Sequence, residues 1–163
     1  MIVIVIIGLI YTLAVSKLKS VGQEKLEPSF LNLKEYLSSF WQEDTKSIRL
    51  LCLDACEKCK VLRNGEEVSV LESFFDDSVE LYRYDVLLGM QRVQDAVYFN
   101  QEGVQEDVCF SLSLFKDGIS EQVFVSYNDK VYDYTTYFSA PKEYDSLDEA
   151  LQTKEQFFSE VMQ

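Results

Sequence analysis

Met1-Ile-Val-Ile-Val-Ile-Ile-Gly8-Leu-Ile10-Tyr-Thr-Leu-Ala-Val15 opens the chain with fifteen residues free of charge. A bilayer core takes about 20 apolar residues of helix, so this run is too short to span one alone. A secretory signal would follow a basic start and end at a small-residue cleavage site. Neither is present: no Lys or Arg precedes the run and no Ala-x-Ala triplet closes it. A buried core helix would keep a polar side, whereas every position from Met1 to Ile7 is apolar.

From Ser16 the pattern turns amphipathic. Leu26, Phe30, Leu33, Leu37 and Phe40 recur at spacings of four and three, the mark of a helix with one apolar stripe. Gly22 and Pro28 interrupt it; because the stripe resumes, the proline reads as a kink rather than a stop. The expectation is one long, bent helix reaching to about Asp44. Residues 1–15 form its apolar membrane half, residues 16–45 its amphipathic continuation, and residues 46–163 a β-rich globular domain.

Beyond Lys46 the texture is that of strands. Ser47–Leu53 and Lys60–Leu62 flank a cysteine-bearing turn, and Asn64-Gly65 before Val68–Leu71 is a strong hairpin signal. Val79–Tyr84, Ala96–Phe99, Val108–Phe115, Gln122–Tyr127 and Lys130–Tyr134 follow, separated by Gly103, Asp117-Gly118 and Asn128-Asp129. Short strands at such spacing predict a mostly antiparallel sheet. Asp85–Asp95 fits a loop or a helical turn equally well. Ser146-Leu-Asp-Glu149 has the form of a capping box, and Leu147, Leu151, Phe158 and Val161 give the helix after it an apolar face. The fold class expected is therefore α+β: a long N-terminal helix packed on a mostly antiparallel sheet, closed by a C-terminal helix.

Charge narrows the partners. Up to Lys46 five basic residues balance five acidic ones, so the formal net charge of −13 arises beyond it, where 10 basic residues face 23 acidic ones. Such a domain repels phosphate backbones and anionic headgroups, which argues against nucleic acid. Histidine is absent from the sequence, and with it the commonest general base and zinc ligand. There is no Gly-x-Ser-x-Gly and no phosphate-binding glycine loop. Asp76-Asp77 and the pair Asp129/Asp133 could be acid–base or calcium groups, but turn acids explain them better. An enzyme is not expected, nor a cofactor, a metal or a small-molecule substrate.

The opening run resembles the interior of the type IV pilin N-terminal motif, with Met1, Ile2, Val3, Ile4, Val5, Ile6, Ile7, Gly8, Leu9 and Ile10 as its membrane and helix-assembly residues. In that family the mature protein starts with phenylalanine and carries a glutamate a few residues on. The resemblance implies a start assigned to an internal methionine, with about six mature residues and a basic leader upstream; restoring them gives the roughly 20 residues a span needs. Ala96-Val-Tyr-Phe99-Asn-Gln-Glu-Gly103, Val108-Cys-Phe-Ser-Leu-Ser-Leu114 and Gln122-Val-Phe-Val-Ser-Tyr-Asn-Asp-Lys-Val131 look like the C-terminal sheet of minor pseudopilins of the GspH/FimT type. Asn128-Asp129-Lys130 stands where that family has a Gly-Arg turn. The resemblance implies a structural subunit of a type II secretion or type IV pilus filament. Such a protein is single-pass in the bacterial inner membrane, with its domain in the periplasm, and its partners are other pilin-like subunits and inner-membrane assembly proteins. The alternative is a membrane-tethered periplasmic binding domain that uses Tyr132, Tyr134, Tyr137 and Phe138 as a recognition face.

Cys52, Cys56, Cys59 and Cys109 allow three disulfide connectivities or a four-sulfur metal site. A periplasmic location favours disulfides. The pairing expected is Cys56–Cys59 closing the turn and Cys52–Cys109 tying two strands.

Overall fold

The computed structural model describes residues 27–56, 58–93, 96–100, 102–137 and 139–161. Among the described residues ten strands make two antiparallel five-stranded sheets. The first sheet runs, edge to edge, β3 (Glu66–Glu72), β2 (Lys58–Arg63), β1 (Ser47–Leu53), β7 (Gln105–Phe115) and β6 (Ala96–Phe99). The second runs β10 (Lys142–Tyr144), β9 (Lys130–Asp133), β8 (Phe124–Tyr127), β4 (Glu80–Asp85) and β5 (Gly89–Arg92). Two helices are present among the described residues, α1 (Leu33–Ser38) and α2 (Leu147–Val161).

The strands form where alternation and turn chemistry agree. In β1, Ile48, Leu50 and Cys52 point to one face and are fully buried, as the two-residue period requires. The β2–β3 hairpin turns on Asn64 and Gly65 at φ 53° and 91°, and the β8–β9 hairpin on Asn128 and Asp129 at 51° and 57°. Two successive positive φ values are what the twist of a two-residue hairpin demands, and Asn, Asp and Gly tolerate them. Of Asp85–Asp95, the described part is a turn whose Leu87 and Leu88 amides donate to the Asp85 carboxylate, followed by β5; residues 94 and 95 lie outside the described residues.

The main core joins Ile48, Leu50, Phe110, Leu112 and Leu114 of the first sheet to Leu33 and Leu37 of α1, with Val123, Val125 and Tyr134 from the other side. Phe30 sits among five aromatic rings, stacked on Tyr132 at 5.0 Å and Phe75 at 5.4 Å. A smaller cluster of Phe124, Val131, Tyr144 and Ala150 lies under α2. Helix α2 starts on the expected box: the Glu149 amide donates to Ser146 Oγ at 3.2 Å, while the Glu149 carboxylate accepts from the Asp145 amide at 2.8 Å.

The expected fold class needs correction. Among the described residues the protein is mostly antiparallel β-sheet, with two helices, of six and fifteen residues, and no long helix leading into the sheets. The stripe Phe30, Leu33, Leu37 does reach the core, but Phe30 from the turn before α1 and only Leu33 and Leu37 from the helix itself. Pro28 disfavours helix at the residue before it. Next to it Ser29 and Asn32 bond each other's backbone, Asn32 Oδ1 accepting from the Ser29 amide at 2.7 Å and Ser29 Oγ from the Asn32 amide at 3.3 Å. At the other end the hydroxyls of Ser38 and Ser39 donate to the carbonyls of Glu35 and Tyr36 at 2.7 and 2.6 Å. Such local bonds compete with helix propagation, and here they confine α1 to six residues.

The membrane expectations are corrected with it. Among the described residues no helix is long and apolar enough to cross a membrane. Helix α2, the longest, carries Asp148, Glu149, Lys154, Glu155 and Glu160 along its length. A single-pass inner-membrane protein with a transmembrane helix and a pilin-like fold is therefore not supported. The residues Met1 to Ile10 on which that reading stood lie outside the described residues.

Candidate functional site

A cleft of about 230 Å³ opens beside β7, where the first sheet meets the second. Its position follows from the pairing of that strand. On the side away from β1, β7 pairs with β6 only from Gln105 to Val108. From Ser113 onward it is covered by the chain returning after the Asp117-Gly118 turn: the Ser113 carbonyl accepts from the Glu121 amide at 3.0 Å, and the Phe115 amide donates to the Ile119 carbonyl at 2.9 Å. Between these two coverings a short stretch of strand edge is left open, and the cleft lies there.

Leu51, Val79, Leu81, Val93, Val97, Val108, Phe110 and Val123 give the cleft an apolar lining. Its charged groups are Arg49, Arg83 and Arg92, with Glu80 and Glu121. Arg49 and Arg83 line the cleft from its own side, Arg92 stands opposite Tyr82 and shares its face with Glu80, and none of the eleven lysines lines it. The two-residue period explains how β4 supplies both kinds of group: Leu81 and Arg83 share the cleft side, while Tyr82 and Tyr84 turn to the α2 side, where Tyr84 stacks on Phe158 at 5.4 Å.

The arginines differ in how they are held. Arg49 donates from Nε to Ser113 Oγ at 3.0 Å, which fixes the guanidinium over the sheet. Arg92 and Glu80 pair at 3.3 Å at the rim, with side-chain exposures of 63% and 36%. A pair so open to water contributes little, at most about 1 kcal/mol. Glu80 also accepts from the Tyr82 hydroxyl at 2.7 Å; chiefly this bond, then burial, holds the Tyr82 phenol above its ordinary pKa. Arg83 has no ion-pair partner among the described residues.

The residues singled out from the sequence fall elsewhere. The assembly residues Met1, Ile2, Val3, Ile4, Val5, Ile6, Ile7, Gly8, Leu9 and Ile10 lie outside the described residues. The four cysteines form two disulfides, but the expected pairing is corrected: Cys52 bonds Cys59, and Cys56 bonds Cys109. Cys52 and Cys59 stand directly opposite in the β1–β2 ladder. The β1–β7 register steps from Cys52↔Phe110 to Leu53↔Val108, so Cys109 is the extra residue of a bulge, and it also lines the cleft. Of the proposed tyrosine face, Tyr134 is fully buried and Tyr132 packs on the core. Tyr137 is exposed, and Phe138 lies outside the described residues.

Of the acids, Asp76 caps its own turn. It accepts from the Ser78 hydroxyl at 2.5 Å and the Ser78 amide at 3.0 Å, which hold its carboxyl below the usual range. Asp133 is buried and paired with Lys154 at 3.2 Å. Asp129 sits in the β8–β9 turn. Among the described residues no group of three or more Cys, Asp or Glu side chains could hold a metal ion.

The arginines were missed by sequence reading, although a signal was there. Arginine is scarce in this chain, and Arg49 interrupts the otherwise apolar run Ile48–Leu53. Comparison with protein-family models, curated proteins and solved structures finds no match.

Proposed function

We propose that this chain is a binding module: a disulfide-clamped β-sheet domain of an oxidising compartment that takes an anionic ligand into the arginine-lined cleft and performs no chemistry on it. The observation that carries this reading is that Arg49 and Arg83, and no lysine, line one depression of mixed polar and apolar character in a chain whose formal net charge is −13. Either residue type would supply positive charge. Arginine alone adds a planar fork of donors that matches a carboxylate or phosphate, and it is the more weakly hydrated of the two. Acidic surface elsewhere repels an anion, so attraction is focused at the cleft. The two disulfides support an oxidising compartment, since cytosolic thiols are kept reduced. Assembly as a filament subunit has its main support in Met1–Ile10, which lie outside the described residues, whereas binding uses groups that the described domain brings together.

The test is an amide-shift NMR titration of the full chain with small anionic fragments and their neutral isosteres. Anionic fragments should shift Leu51, Val97, Ser111 and Val123 and be recovered unchanged, and Arg83→Glu should abolish the shifts without altering the circular dichroism spectrum. Fragments that bind elsewhere, bind the variant equally well, or are consumed would overturn the reading.

A further inference from the structure

We infer that the ligand of this cleft is a monocarboxylate on a short apolar chain, its carboxylate lying between Arg83 and the Ser111 peptide and its chain lying on Leu51, Val108 and Val123. The inference rests on the binding reading above and adds the ligand class to it.

Three observations carry it. The first is backbone geometry. Ser113 and Phe115 both hydrogen-bond to the returning 119–121 segment, so alternation in an antiparallel strand turns the Ser111 peptide to the same side. There β6 has already ended at its Val108 partner and the return has not begun. The Ser111 N–H thus faces the cleft from an open edge, and among the described residues the Ser111 hydroxyl makes no hydrogen bond. Both are donors of the kind an oxyanion takes.

The second observation is charge. On the cleft side the two guanidinium groups of Arg49 and Arg83 stand against the Glu121 carboxylate, one net positive charge, which suits a monoanion better than a phosphate dianion. Among the described residues Arg83 has no ion-pair partner to give up, and the Arg92–Glu80 pair on the opposite face of the strands leaves it free. The third is size. About 230 Å³ falls below the roughly 300–1,000 Å³ of pockets for drug-sized ligands, so the apolar part is short.

The same chemistry is offered by a free short-chain acid and by the C-terminal carboxylate of a peptide ending in an apolar residue. The experiment is calorimetric titration of the full chain with sodium hexanoate, sodium butanoate, 1-hexanol, inorganic phosphate, and the tripeptide Ala-Val-Leu in free and amidated forms, with cleft amides followed by NMR. Hexanoate should bind about tenfold or more tighter than hexanol, because a hydrogen bond to a charged group is roughly twice as strong as a neutral one. It should bind about tenfold tighter than butanoate, which lacks two methylenes. Arg83→Met should weaken hexanoate by about tenfold or more and leave hexanol unchanged. Binding of the free but not the amidated tripeptide, with hexanoate silent, supports the same chemistry and assigns the source to a chain end.

Hexanol binding as well as hexanoate, or phosphate binding more tightly, overturns the ligand class while the cleft stands as a binding site. Silence from every probe while other anionic fragments still bind overturns the ligand class alone. Silence from those fragments as well overturns the binding reading with it.

Discussion

The hydroxyl of Tyr134 donates to the backbone carbonyl of Phe30 at 2.5 Å, and both residues are buried. This bond joins the segment that leads into α1 to the strand end that follows β9, and it satisfies a carbonyl with no helix to accept it. Tyr134→Phe keeps the ring and removes the donor, leaving that carbonyl unpaired in the core. The expected cost is about 1–3 kcal/mol, read as a lower urea midpoint with an unchanged denaturant slope.

The same residue sets a pH dependence. Burial holds the Tyr134 phenol far above its ordinary range, so the folded state keeps the proton after the unfolded state begins to lose it near pH 10. Above that pH the unfolded chain binds fewer protons than the folded one, so stability falls as pH rises, by at most about 1.4 kcal/mol per pH unit for this one group. Tyr134→Phe should remove that part of the alkaline loss. Urea melts of both proteins between pH 9 and pH 11, ranges set by the phenol's ordinary value of about 10, would show parallel decline if the tyrosine plays no part.

Asp133 and Lys154 tie α2 to β9. The carboxylate is 2% exposed and lies 3.2 Å from the ammonium, while its other oxygen accepts from the Thr135 amide at 2.7 Å and the Thr135 hydroxyl at 2.6 Å. Lys154→Met strands a buried charge and should cost about 3 kcal/mol, the lower end for such pairs because the Thr135 donors remain. Adding Asp133→Asn should restore most of the loss, since an amide needs no counter-charge. A double-mutant cycle in urea measures the coupling; additive effects would show that the pair is not what holds α2 in place.

Some of this architecture could be read directly from residues. Ser47–Leu53, apolar but for Ser47 and Arg49, is β1 to the residue, and Asn64-Gly65 and Asn128-Asp129 make the turns their chemistry predicts. The long helix failed because periodicity records which side chains could share a face, not whether serine and asparagine will bond the backbone first. The hydroxyls of Ser38 and Ser39 look like neutral surface residues until they are seen closing α1. Register was equally hidden. Cys52 meets Cys59 because β1 and β2 pair at those positions, and Cys109 turns towards Cys56 because a bulge places it there. The cleft depends on where β6 stops along β7, which no single residue announces, although the scarcity of arginine marked the groups that line it.

The two disulfides should differ in what they contribute, because they close loops of different length. Cys52–Cys59 spans seven positions and Cys56–Cys109 spans 53. Loop-closure entropy alone then gives about 2 kcal/mol for the first and about 4 kcal/mol for the second. Cys56→Ser/Cys109→Ser should therefore lower the urea midpoint more than Cys52→Ala/Cys59→Ala. Burial works the other way: Cys52, Cys59 and Cys56 are all fully buried, so removing the first bridge loses two packed sulfurs and removing the second loses one, Cys109 being half-buried at the cleft. A larger loss from the Cys52–Cys59 double variant would mean that packing, not chain entropy, dominates here. The Cys56–Cys109 variant should show a second effect that the other lacks. Cys109 sits one residue from Val108 and two from Ser111 on the cleft wall, so freeing it should weaken hexanoate binding under conditions where the domain is still folded.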